Sequence, residues 1–162
     1  MLNQPFIDKL RETLAVSEIH HQWMTFARNH LLTFFPLTLN NYEKLTPEQI
    51  SFMDQLIYRF SKLQDLMGRK LFVLILQGLG EDTEDLPFID VLNRLEKLEI
   101  IPEPDQWLEL RETRNLVAHE YPYHREDFVD GLNALFSQSL NLTKIWLSVK
   151  DYTEKRFDLL TH

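Results

Sequence analysis

The sequence predicts an all-α protein: an antiparallel up-and-down helical bundle with a four-helix core, an additional N-terminal helical segment and a short helix. Three observations lead there. The 162 residues include only four glycines (Gly68, Gly78, Gly80 and Gly131), too few for the turns of an all-β chain. Strict two-residue alternation is absent, while apolar residues recur at steps of three and four. Hydrophobic residues make up 44% of the chain and charged residues 26%, which supplies a core and excludes a disordered polypeptide. A chain of this length is expected to form one domain over residues 1–162, since no repeat, low-complexity tract or linker divides it.

Each element has its own signal. Phe6–Phe35 reads as one helix, or two in tandem, and Pro36 leads into a loop over Leu37–Leu45. The clearest start is Thr46-Pro47-Glu48-Gln49, where Thr46 caps free amides, Pro47 suits the first helical position and Gln49 completes a capping box. From there Ile50, Met53, Ile57, Phe60, Met67, Leu71 and Leu74 form one apolar stripe. Gly78 and Gly80 stop that helix, and Glu81–Asp85 is an acidic loop. Pro87 opens a short helix through about Leu98, closed by Pro102 and Pro104. A fourth helix is expected from about Asp105 to Tyr121, where Pro122 halts it. A long last helix begins near Arg125, with Phe128, Leu132, Leu135, Leu142, Trp146, Val149 and Tyr152 as its apolar stripe. Long helices with one apolar stripe each hide it best in an antiparallel bundle.

Composition narrows the function. Seventeen basic against twenty-five acidic residues leave a formal charge of −8, which argues against a protein that coats nucleic acid by bulk charge. It leaves room for an enzyme that handles one phosphate at a local basic site. The longest uninterrupted apolar run, Leu71–Leu76, is far short of the roughly 20 residues of a membrane span. Met1–Pro5 has neither the basic flank nor the apolar core of a signal peptide, so a cytoplasmic location with no membrane contact is the expectation. The absence of cysteine excludes a disulfide framework, a thiolate nucleophile and a Cys-based zinc site.

The segment Trp107–Tyr121 carries the most chemistry. Its core stripe is Trp107, Leu110, Arg114, Val117 and Tyr121, and Arg114 interrupts it. An arginine on such a stripe keeps its proton, so it requires an anionic partner or a shared interface that supplies one. Gln64 and Asp65, on or beside the apolar stripe of the helix begun at Thr46, are the candidates for a polar partner. A second stripe holds Arg111, Asn115 and His119. Asn115 and His119 are four residues apart, so the amide can orient the imidazole. Arg114 and His119 lie about 140° apart on an ideal helix, a gap the long guanidinium stem must bridge for both to reach one phosphate.

The string Arg114-Asn115-Leu116-Val117-Ala118-His119-Glu120-Tyr121 resembles the Arg-x4-His-x-Tyr motif of the HEPN superfamily. The Asn after the Arg, the small residue before the His and the Tyr two places beyond it all fit. So does the architecture, since those proteins are small helical bundles with the motif on a late helix before a long last one. The resemblance is to HEPN toxins encoded beside a minimal nucleotidyltransferase (MNT) antitoxin, a group also described as nucleotidyltransferase substrate-binding proteins. The segment before Pro36 is extra relative to the compact members.

That resemblance implies metal-independent RNA cleavage, with no cofactor, by a homodimer that brings two motifs to one cleft. The RNA 2′-hydroxyl is the nucleophile. His119 takes its proton or protonates the leaving oxygen, and Arg114 stabilises charge on the phosphorane. Asn115 holds the imidazole tautomer or contacts the phosphate. Tyr121 is implied as the acceptor to which the MNT partner attaches AMP, placing anionic phosphate beside Arg114 and His119. The other reading is a non-catalytic subunit that presents substrate, or itself, to a nucleotidyltransferase.

Weaker candidates lie elsewhere. Arg111, and Arg59 with Lys62 three residues apart on one helix face, form a possible RNA-facing edge or ordinary surface charge. His20, His21 and His30 lack the i, i+4 spacing of helical metal ligands, so no metal site is expected. Asp8, Glu12 and Glu18 read as a solvated face, and Trp23, Trp107 and Trp146 as core anchors.

Overall fold

In the computed structural model, which describes residues 2–118 and 125–160, the chain is all-α. The helices are α1 (Gln4–Leu31), α2 (Leu39–Glu43), α3 (Pro47–Leu66), α4 (Phe72–Gly78), α5 (Phe88–Lys97), α6 (Pro104–Ala118) and α7 (Arg125–Arg156). A π-helical turn, Met67–Leu71, joins α3 to α4 without a break. Among the described residues there is no strand, and no helix is long and apolar enough to cross a membrane.

Local chemistry explains the starts and stops. The Asn3 side chain accepts the Phe6 amide to cap α1. The single helix that follows settles the one-or-two question for the N-terminal segment. Thr46 and Gln49 exchange side-chain and backbone hydrogen bonds at 3.2 and 2.9 Å, the reciprocal capping box expected of that sequence. After α4, the Gly80 amide bonds the Gln77 carbonyl and the Glu81 amide reaches back to Leu76. That closure needs a left-handed residue, and Gly80 supplies it at φ 84°. The segment expected to be loop, Leu37–Leu45, contains α2. Thr38 caps it by accepting the Asn41 amide, a signal too short to show as apolar periodicity.

Cross-helix pairs give the directions. His20 and Phe26 of α1 meet Arg59 and Phe52 of α3, so the two run antiparallel. Glu18 and Arg28 of α1 meet Trp146 and Ser139 of α7, again antiparallel. Trp107 and Arg114 of α6 meet Gly68 and Asp65 of the α3 segment in the same sense. α6 packs in turn on α7, where Gly131 lies against Val117 and Leu116. These four long helices enclose a core that includes Phe60, Leu63, Trp107, Leu110, Leu135 and Trp146.

Two details depart from the sequence expectations. Glu18 is not simply solvated: it accepts the Trp146 indole N–H at 2.9 Å and pairs with Lys150 at 3.3 Å, which lets a fully buried indole satisfy its donor. Trp23 is not a core anchor but is 44% exposed, because the inner side of α1 is taken by Leu10, Leu14, Met24, Ala27 and Leu31.

The turn after α1 is tied to α7 by one side chain. Asn133 accepts the Leu37 amide at 2.7 Å and donates to the Leu37 carbonyl at 2.9 Å, satisfying both backbone groups of a buried residue. Removing the amide leaves both groups unpaired, so Asn133→Ala is predicted to cost about 2 kcal/mol in urea unfolding. An unchanged unfolding midpoint would show that water replaces the amide without loss.

Candidate functional site

The α3–α6 crossing sets the site. At Gly68, in the π-helical turn, an added Cβ would lie 3.3 Å from Trp107 Cζ2 and 3.4 Å from its Nε1. The missing side chain therefore lets the Trp107 ring lie close on the backbone of this turn. Two helical turns further along α6, Arg114 reaches α3 and donates from Nη2 to Asp65 Oδ2 at 3.0 Å. Both side chains are half-buried, 29% and 27% exposed. Of the two partners open to Arg114 from sequence, Asp65 takes the role. The inner position expected for Arg114 is taken by Thr113, so the arginine lies at the edge of the stripe and no second copy is required to explain it.

Around that pair lies a cavity of about 340 Å³, whose polar lining includes Gln64, Asp65, Arg69, Arg111, Arg114 and Asn115. Leu86, Phe88 and Val91 form its apolar wall. The Arg111 guanidinium sits 5.4 Å from the centre of the Phe88 ring. Three guanidinium groups face one carboxylate here, so the cavity is locally positive on a chain of net charge −8. Two of the lining side chains also carry a buried atom with no partner, the acceptor Gln64 Oε1 and the donor Arg114 Nε. A cavity with surplus positive charge suits a phosphate-bearing ligand.

The sequence candidates divide. Arg111, Arg114 and Asn115 line this one cavity. Arg59 and Lys62 do not; they stand on the outer face of α3 beside Tyr58. His119 and Tyr121 lie outside the described residues, as does the C-terminal end expected for their helix. Arg69 was missed, although its i, i+4 spacing from Asp65 was a usable signal. Among the described residues no group of three or more His, Asp or Glu could hold a metal ion.

The histidines of α1 have other surroundings. Arg59 Nη1 donates to His20 Nδ1 at 3.1 Å. Burial, then the charges of Arg59 and Lys62, push the His20 pKa below its ordinary value. Burial likewise lowers His21, against the opposing pull of Glu18. Both folded values fall below the unfolded 6.5, so in between the unfolded chain holds more protons and stability rises with pH. The melting temperature is predicted to drop as pH falls from neutrality to about 5, and His20→Gln with His21→Gln should remove part of that slope. An identical slope in the double variant would contradict it.

The chain matches no protein-family model, no curated protein and no solved structure.

Proposed function

We propose that the chain is a metal-independent endoribonuclease, the toxin of a HEPN/MNT pair. The observation that carries this reading is the setting of Arg114. It stands beside the buried stripe of Trp107, Leu110, Thr113 and Val117, is held by Asp65, and lines a positively charged cavity together with Arg111 and Asn115. A guanidinium fixed in this way needs no reorganisation when charge builds on a phosphate.

In the reaction, the 2′-oxygen of RNA bonds to the adjacent phosphorus and the bond from phosphorus to the 5′-oxygen breaks. The 2′-hydroxyl proton passes to a base, and a proton is delivered to the leaving 5′-oxygen. His119 serves as acid or base, and Arg114 stabilises the phosphorane. Asn115 orients the imidazole or holds the phosphate. In a two-fold dimer the second copy would supply the second imidazole. Leu116, which is 53% exposed within the motif, gives such an interface an apolar contact.

Arg114→Ala and His119→Ala are each predicted to lower RNA cleavage by at least about a hundredfold while leaving the helical circular-dichroism signal unchanged. Chelation with EDTA should not slow the wild type, because the nucleophile belongs to the substrate. Loss of cleavage on chelation would assign the wrong roles to both residues.

Control by the partner follows from the same motif. The Tyr121 oxygen would attack the α-phosphorus of ATP bound to the nucleotidyltransferase, releasing pyrophosphate and leaving AMP on the tyrosine. The added phosphate would then occupy a site suited to RNA phosphate. Intact mass after incubation with partner and ATP should rise by AMP units in wild type and not in Tyr121→Phe. An equal rise in Tyr121→Phe would place the acceptor elsewhere.

A further inference from the structure

α1 and α3 present an outward face that nothing in the fold covers. Trp23 and Phe26 of α1 are each 44% exposed, and their rings meet edge to face with centroids 5.4 Å apart. His30 continues the row, 4.5 Å from Phe26 and stacked on Phe52 of α3 at 4.4 Å. Tyr58 of α3, 49% exposed, lies beyond His20. Cations stand among these rings. The Arg59 guanidinium is 5.2 Å from the centre of Tyr58 and 6.0 Å from that of Trp23, and Lys62 Nζ is 5.7 Å from Tyr58. Scattered exposed apolar side chains need no explanation, but a contiguous array of rings and cations does.

The charge of this face is opposite to that of the chain. From Gln55 to Leu71 the cations are Arg59, Lys62, Arg69 and Lys70, and the one acid is Asp65, which is committed to Arg114. Arg59, Lys62 and Arg69 have no acidic partner among the described residues. Arg59 Nε is buried with no acceptor. The depressed His20 pKa has two of these same cations among its causes. This basic ridge leads along α3 from the aromatic face toward the Arg114 cavity, which Arg69, in the π-helical turn, lines.

A second copy is a poor occupant. A two-fold contact lays a patch on itself, and this one would bring the cations Arg59 and Lys62 against their own copies. Single-stranded nucleic acid brings a π-face and a phosphate at every step, which is the alternation seen here. A duplex keeps its base faces stacked and out of reach.

We infer that the α1–α3 face binds single-stranded RNA. Bases stack on Trp23, Phe26 and Tyr58, while Arg59, Lys62 and Arg69 hold phosphates and lead the strand along α3 to the cavity. The inference rests on the ribonuclease reading for its choice of RNA, but its test does not need cleavage.

The probe is a 2′-O-methyl oligouridylate of about ten nucleotides, which has no free 2′-hydroxyl and so cannot be cut by that route. Trp107 and Trp146 are 1% and 0% exposed, so Trp23 is the indole open to a stacking base. The probe is expected to quench wild-type tryptophan fluorescence. By anisotropy, Trp23→Ala and Arg59→Ala should each weaken binding about tenfold. Arg59→Ala should also lower the salt slope by about 0.7. Trp23→Ala removes an exposed ring, and an unchanged melting curve checks that it folds. Equal affinity in both variants, with RNA still cut by the wild type, overturns the inference and spares the ribonuclease reading. Quenching and tenfold losses in a protein that never cuts RNA support it and sink that reading instead. A dimer lost in Trp23→Ala, or binding of polyglutamate in place of the oligouridylate, would assign the face to a protein and overturn it.

Discussion

The contact on which the site depends is the approach of Trp107 to Gly68. A glycine in the π-helical turn leaves room for an indole directly against the backbone, and this fixes the spacing and register of α6 on α3. With the register set, Arg114 arrives two turns later opposite Asp65, and the ion pair forms at 3.0 Å. The pair is half-exposed, so its value lies less in stability than in orientation. It makes an arginine at the edge of the buried stripe a fixed positive group at the wall of a cavity.

The π-helical turn has a second consequence. Its wider winding, marked by the Phe72 amide bonding the Met67 carbonyl, lies where Gly68 and Arg69 join the cavity lining. π-Turns inside α-helices often accompany functional sites, because they give up a regular bond for a particular side-chain direction. Here the cations of the α3 ridge reach the cavity through that turn. An acidic protein thereby carries basic side chains on α3 next to a cavity lined by three arginines.

Much of this was legible in the sequence, for identifiable reasons. The start of α3 was readable because a capping box has a fixed four-residue signature, and the end of α4 because Gly80 occupies a left-handed position. The need of Arg114 for a polar partner was readable, and Gln64 and Asp65 were the candidates; the choice of Asp65 took the structure. The exposure of Trp23 was not readable: periodicity counts a tryptophan as apolar wherever it falls, and the rest of α1 already supplied the core. Glu18 escaped for the opposite reason, since its use as acceptor for Trp146 depends on a contact 128 residues away. The π-helical turn changes hydrogen bonding without changing composition, so only Gly68 hinted at it.

In the proposed reaction Arg114 and its neighbours serve attack by a ribose hydroxyl on its own phosphate. The chemistry of newly made RNA ends tests this most directly. The expected products are a 2′,3′-cyclic phosphate on one fragment and a free 5′-hydroxyl on the other, with no cut where the scissile ribose is replaced by 2′-deoxyribose. Fragments ending in a 3′-hydroxyl and a 5′-phosphate, or equal cutting of the deoxy-substituted strand, would contradict it.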